Sequence, residues 1–267
     1  MIESWAWATG KQVRSACRLG QIDSPTAGMA NGYVQANLVM VPAVLADDFQ
    51  VFCELNPIPC PLLERTPVGV FEPVIFAPGS DIRTDAARYT VYRNGQPDLD
   101  KPIHVSHEET SDLAGFLIGC SFTFEEAMAR AGFELRHLEH GVNVPMYRTS
   151  LACVPVGSLQ GPMVVSMRPI ATTRVGEVRD LTARYSRVHG APVHVGDPSA
   201  IGITDLSKPD WGDAVEIRSG EVPVFWGCGV TPQAVAQASK PPLMITHAPG
   251  HMFVTDVKDV ELEQAGI

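Results

Sequence analysis

The chain has 267 residues, 45% of them hydrophobic, and a formal net charge of −10, a composition that supports one large α/β domain or a main domain with a smaller companion. The acidic balance argues against nucleic acid and anionic membranes as partners, because both need a basic face to replace released counterions. No run approaches the roughly 18 to 20 apolar residues of a membrane span, and Met1-Ile-Glu-Ser-Trp5 lacks the basic-then-apolar order of a secretory signal, so a cytoplasmic protein is expected.

In chain order, Val44, Leu45, Phe49, Phe52 and Leu55 fall near helical spacing, and Asn56-Pro57 stops that helix before the rigid Cys60-Pro61 loop. Tyr89 to Tyr92 reads as a strand entering an Asn94-Gly95 turn, whose residues take the positive φ of a type I′ hairpin. Thr123-Phe-Glu-Glu126 fits a capping box at the start of a helix through Ala131, with Gly132 to end it. Met146 to Val154 and Met163 to Met167 are predicted strands, and Thr173 to Tyr185 a helix. This α-β-β-α order predicts an α/β fold in which a main α/β layered domain (1–119 and 191–267) carries a smaller inserted α+β domain (120–190). Ala191 to Val195 is expected to be a strand ending in the Gly196-Asp197-Pro198 turn. Val222 to Trp226 is predicted as another strand, followed by a tight Gly227-Cys228-Gly229 crossing. A helix then starts at Thr231-Pro232, with the threonine hydroxyl as cap. The predicted strands Leu243 to Thr246 and Met252 to Asp256 flank a loop holding His247 and His251.

The strand, glycine-flanked turn and helix start around Cys228 would gather backbone amides and the positive end of a helix dipole, an arrangement that favours an anion. Such a position can lower a thiol pKa and make Cys228 a nucleophile; the alternative is a small residue packed behind a turn. His247 and His251 are candidate general bases, or else structural residues that fix their loop. Arg83, Arg148 and Arg168 sit among apolar or turn residues, where a guanidinium suits a carboxylate, so a small acidic metabolite is the expected partner. The sequence leaves the cofactor unspecified, with a divalent metal as one option. Were a divalent metal bound, His189, His194, Asp197 and Asp256 would be its ligands, although their spacing matches no metal signature. The six cysteines form no C-x-x-C pair and are expected to be reduced. A homo-oligomer is compatible with the sequence but not specified by it.

Several stretches resemble the D-glutamate cyclase family, whose bacterial members are often called hydro-lyases: Gly32-Tyr-Val-Gln-Ala-Asn37, Asn56-Pro-Ile-Pro-Cys-Pro61, Gly119-Cys-Ser-Phe-Thr-Phe-Glu125, Val144-Pro-Met-Tyr-Arg-Thr149, Val165-Ser-Met-Arg-Pro169, His189-Gly-Ala-Pro-Val-His194, Phe225-Trp-Gly-Cys-Gly-Val-Thr-Pro-Gln233 and Thr246-His-Ala-Pro-Gly-His251. Gly227 departs from the pattern, which would carry alanine. The resemblance implies closure of D-glutamate to 5-oxo-D-proline with loss of water, but brings no catalytic assignment. From the residues themselves, Arg148 or Arg168 would hold the α-carboxylate and His247 or His251 would take the ammonium proton. The turn Gly229-Val230-Thr231, with Gln233 behind it, would stabilise the oxyanion, and a thioester at Cys228 is a variant. Two other readings stay open: a hydro-lyase that dehydrates a small hydroxy acid, and a non-catalytic sensor of an acidic metabolite.

Overall fold

Tyr33–Pro42 (β1) is buried over eight consecutive residues, so both faces of this strand must be covered. Val34, Ala36, Leu38 and Met40 enter one apolar cluster, and Val39 and Val41 enter a second. This alternation makes β1 the central strand of a seven-stranded sheet. A computed structural model describes residues 5–108 and 112–263; the Met1–Ser4 end of the segment weighed for a leader lies outside them. Ahead of β1 comes helix α1, Gly10–Arg18. After β1 come α2 (Ala43–Leu55), β2 (Leu62–Arg65), β3 (Tyr89–Arg93), β4 (Gln96–Pro97) and β5 (Leu113–Gly119). Near the C-terminus β10 (Leu243–His247) and β11 (Phe253–Lys258) complete the sheet. Its order is β2-β5-β1-β10-β3-β4, all pairs being antiparallel. β5 pairs with β1 from Ala36 to Pro42. The opposite edge of β1 is shared, because β10 takes Val39 and Met40 while β11 takes Tyr33, Gln35 and Ala36.

Between β5 and β10 lie α3 (Phe122–Arg130), α4 (Arg136–Glu139), β6 (Met146–Ala152), β7 (Pro162–Ala171), α5 (Val175–Ala183), β8 (His194–Val195), β9 (Glu221–Gly227) and α6 (Thr231–Ser239). Four of these form a second antiparallel sheet, β6-β7-β9-β8. Ile170, Val224 and Trp226 of this sheet join Leu38, Leu117 and Ile245 of the first in one cluster, and α3 drives Phe124 between the layers, 6.0 Å from the Trp226 ring. On the other face of the first sheet α2 packs Phe49 edge-on to Phe116 at 4.8 Å. The result is an α/β fold with two sheets, as the sequence predicts.

The expected boundary at residue 190 does not coincide with a sheet edge, because β8 and β9 pair with each other and β9 pairs with β7. Other local expectations also change. The capping box at Thr123 is absent: Ser121 precedes α3 without a side-chain cap, and the Thr123 hydroxyl instead meets the backbone of Gln35. Thr231 is the first helical residue rather than the cap, and its hydroxyl takes the Val164 amide and donates to the Cys228 carbonyl. The Ala191 to Val195 strand shrinks to two residues. By contrast the 43–55 helix and the Asn94-Gly95 hairpin, with φ of 50° and 79°, match expectation. No helix among the described residues is long and apolar enough to cross a membrane.

Gly119 ends β5 where a Cβ would lie 2.1 Å from the Arg187 carbonyl oxygen, which is backbone and cannot swing aside. Gly119→Ala is therefore expected to destabilise the fold by about 3 kcal/mol or more, read as a lower urea midpoint at unchanged m-value.

Candidate functional site

Two strand-to-helix turns of the same design are brought together. β5 runs through Gly119-Cys120-Ser121 into α3, and β9 runs through Gly227-Cys228-Gly229 into α6. Cys120 and Cys228 share one apolar cluster with Phe122, Val164 and Met252, and the Phe122 and Val230 amides oppose the effect of burial on the two thiols without overcoming it. Asn37 of β1 fastens the two turns: its Nδ2 donates to Gly119 O at 2.8 Å, and Gly229 presses on its amide so closely that a Cβ would fall 1.9 Å from Nδ2. Gly227 is equally constrained, since a Cβ would meet the Ile58 carbonyl at 2.9 Å. The glycine that departs from the family pattern thus sits where alanine would push the 56–61 loop outward.

Below the turns lies Arg168, on β7 and 1% exposed. Its Nε donates to Glu125 Oε1 at 2.8 Å, Nη2 to Ser121 Oγ at 2.9 Å and to the same Glu125 oxygen, and Nη1 to Ser166 Oγ at 3.1 Å. The guanidinium also lies over the rings of Trp226 and Phe124 at 5.4 and 5.7 Å. His137, on α4 and buried beside Phe122, brings Nε2 to 3.2 Å from Glu125 Oε1, outside hydrogen-bond geometry. Burial alone would raise the Glu125 carboxyl, but His137 and Arg168 outweigh it and hold the group at about 2. Glu125 Oε1 is thereby crowded. Oε2 accepts no hydrogen bond from the described residues, and Glu125 forms part of the wall of a cavity of about 170 Å³. The opposite wall is the backbone of Gly28, Ala30 and Gly32, curled by three positive φ angles of 76°, 47° and 81°. This volume is below the roughly 300–1,000 Å³ of drug-sized sites, so the cavity suits a small metabolite.

The expected site residues separate into those at this seam and those elsewhere. Arg168, Cys228, Gly229, Val230 and Thr231 are at the seam and buried. The Cys228 thiol is not activated: burial pushes it up to about 11, outweighing the Val230 amide and Arg168. Gln233, on α6, receives the Tyr92 hydroxyl and donates to the His247 carbonyl, so it braces β10. His247 is the last residue of β10 rather than a loop residue. Its Nδ1 sits 3.1 Å from Leu38 N and 3.2 Å from Leu38 O, filling the gap where the edge of β1 passes from β10 to β11. Burial drives this imidazole down to about 4, so it serves the strand edge. His251 lies on the 248–252 loop, half-buried, with Nδ1 at 3.0 Å from Pro249 O, and burial lowers it too. That loop reaches the cavity through Thr26, which accepts the Met252 amide and donates to Gln35, a cavity residue.

Arg148 pairs with Val164 of β7, four residues and so roughly 13 Å along the strand from Arg168. It is engaged by Asp210, Gln237 and the Trp211 ring, and it faces a separate shallow groove with Lys208. Arg83, by contrast, is engaged by Asp81. The four conditional metal ligands are not brought together. Asp256 is bound by Arg14, and His194 sits at 2.7 Å from the Asp197 carbonyl. His189 turns Nδ1 to Ile58 O at 2.7 Å, and burial pushes its imidazole down to about 4. Among the described residues no three His, Cys, Asp or Glu side chains are grouped to hold a metal. Glu125, His137, Ser121 and Asn37 are the residues that sequence reasoning missed. Glu125 and Asn37 each close a stretch quoted for the family resemblance, but nothing in the spacing of either stretch assigns them a role.

A family model described as D-glutamate cyclase matches residues 114–256. The chain belongs to the D-glutamate cyclase family. It is 57% identical to a protein of Stutzerimonas stutzeri named "Putative hydro-lyase" over 94% of each chain. A relative of the same name from Geobacillus kaustophilus is 52% identical over 95% of this chain and 96% of its own, and one from Bacillus licheniformis 54% over 96% of each. Among solved structures, a nitrogen repressor-like protein of Methanococcus jannaschii aligns over 91% of this chain and 97% of its own with a TM-score of 0.32 and 8% identity, too weak a likeness to carry an argument.

Two outcomes follow for this family member. His189 and His247 have folded-state pKa values near 4, below the ordinary 6.5, so between pH 6.5 and 4 the unfolded chain binds protons that the folded chain refuses. Stability is expected to be complete above about pH 6.5 and to fall by a few kcal/mol as pH drops towards 4, with a smaller fall in His247→Gln, measured by urea unfolding at fixed ionic strength. Because the Cys228 thiol stays protonated, Cys228→Ser is expected to keep turnover within about threefold of wild type; loss of activity in a folded variant would restore the thioester reading.

Proposed function

We propose that this chain closes D-glutamate to 5-oxo-D-proline with release of water, acting as a carbon-oxygen lyase. The observation that carries the reading is Glu125, which is held by the desolvated Arg168 and lines a cavity sized for a small metabolite. Membership of the D-glutamate cyclase family and the relatives' hydro-lyase names support the reaction class.

The reaction asks for orientation more than for reagents. Ammonium and γ-carboxylate belong to one molecule, and N–H and C–O bonds break as C–N forms. The protons leaving nitrogen are those that complete the departing water, so nothing is consumed. Holding the chain folded on itself can gain effective molarities on the order of 10⁵ M. Arg168 has four of its five N–H donors engaged by Glu125, Ser121 and Ser166, which fixes the position of the Glu125 carboxylate in the cavity wall. The start of α3, whose Phe122 and Thr123 line the cavity, brings the positive end of its dipole there. Of the two imidazoles, His251 is the better proton carrier, because His247 is committed to the edge of β1, whereas His251 is half-buried on the loop whose next residue, Met252, is held by Thr26 beside the cavity residue Gln35.

The test is incubation of purified protein with D-glutamate and separately with L-glutamate, with and without Mn²⁺ or a chelator, and 5-oxoproline followed by chiral chromatography. Product from the D-isomer alone is expected, with Arg168→Met reducing kcat/KM at least about 100-fold. No product from either isomer, with a new double bond formed from a hydroxy acid, would replace the reading by the dehydrating hydro-lyase; binding without turnover would replace it by a sensor.

A further inference from the structure

A buried backbone N–H is rarely left without an acceptor, yet the turn that leads into α3 leaves two. Cys120 and Ser121 follow the last residue of β5 and are 7% and 3% exposed, and neither amide meets an acceptor among the described residues. The preceding Gly119 amide, by contrast, donates to Pro61 O at 2.9 Å. Gly229, buried at the matching place in the second turn and pressed on Asn37, also lacks an acceptor among the described residues. The Cys120 and Ser121 amides stand at the positive end of α3, a helix of nine residues, where an anion is favoured.

A helix start alone defines no ligand, but His189 adds a second requirement. It is 3% exposed and holds φ at 88°, a left-handed conformation that is costly for any residue with a side chain. Its Nδ1 lies 2.7 Å from Ile58 O, so that nitrogen carries the hydrogen and Nε2 of the neutral ring keeps a lone pair. Burial keeps the ring neutral, with its pKa pushed down to about 4. The ring also reaches the Gly119 backbone at the head of the same turn, and Nε2 is buried without a partner. The turn therefore offers donors without an acceptor beside an acceptor without a donor.

We infer that the Gly119–Ser121 turn and His189 form a site for a small oxyanion that carries a hydrogen of its own, as hydrogen phosphate and hydrogen carbonate do. Its oxygens take the amides, and its O–H donates to His189 Nε2. Arg168 Nη2, on Ser121 Oγ at 2.9 Å, adds a positive charge behind the turn that Glu125 balances. The site is separate from the cavity, whose lining takes Phe122 from this segment but none of Cys120, Ser121 and His189. It does not depend on the proposed turnover.

The probes are inorganic phosphate and sulfate, titrated calorimetrically into the intact protein near neutral pH at fixed ionic strength. Phosphate there keeps at least one hydrogen and sulfate keeps none. Phosphate is expected to bind at least about tenfold more tightly. His189→Gly, which suits the positive φ, should bring the two anions to near parity, while His189→Gln, whose amide oxygen accepts, should keep most of the preference. Ser121→Pro fits the local φ of −59° and removes one amide, so it should weaken both anions about tenfold relative to Ser121→Ala. No saturable binding of phosphate, equal binding of the two anions, or an undiminished preference in folded His189→Gly overturns the inference. Displacement of phosphate by D-glutamate would show that the metabolite's own carboxylate shares the site, and simultaneous binding that the site takes a free anion. Both results keep the site, and ring closure is read separately from 5-oxoproline.

Discussion

The Arg168–Glu125 pair is the contact on which the two layers depend. Arg168 belongs to β7 of the second sheet, and Glu125 belongs to α3, which leaves the first sheet at Gly119. Both side chains are almost wholly buried, and removing one partner of such a pair typically costs about 3–5 kcal/mol because the other charge is left in a low-dielectric interior. The pair is an unlikely device for stability alone, since well-packed apolar residues would serve at least as well. What it adds is position. Ser121, Ser166, Phe124 and Trp226 all meet the guanidinium, so one group sets the relation between the turn before α3, the middle of β7 and the apolar layer between them.

Desolvation organises the rest of the site, and it acts with opposite sign on different groups. It lifts the Cys228 and Cys120 thiols and drives the His189 and His247 imidazoles down, which leaves all four neutral near pH 7. Only where specific partners outweigh it does charge persist, as at Glu125. The Arg168–Glu125 ion pair is therefore set among these neutral groups, and Glu125 and Glu126 line the cavity beside it. A buried ion pair beside a small, mainly apolar cavity with two glutamates in its wall is a chemically different object from the nucleophilic thiol site that the Gly-Cys-Gly turn suggests in isolation.

Local order was readable from sequence wherever it followed from short-range physics. The 43–55 helix, the Asn94-Gly95 hairpin and the strands around Phe225 and Ile245 depend on spacing, positive φ and runs of apolar residues, all properties of neighbouring positions. Hydroxyl roles were less legible. Thr123 and Thr231 carry the pattern of caps, yet each spends its hydroxyl on a strand from another part of the fold, Gln35 and Val164. The helix starts are thus tied into the sheets rather than capped within themselves.

The sequence by itself determined the family, the glycine-flanked turn at Cys228 and an arginine set among apolar residues at 168, because each is written in contiguous residues. Tertiary structure alone decided which of the candidates meet. Arg148 and Arg168 lie in the same sheet, yet roughly 13 Å of strand separates them. His247 became a brace because β10 and β11 share one edge of β1 and leave a backbone amide to be met there. Glu125, Glu126 and Gly32 line one cavity although about ninety residues intervene, since α3 packs across the start of β1. Contacts of that range carry no periodicity in the chain; they exist only once the sheet order and the burial of charge have been settled together.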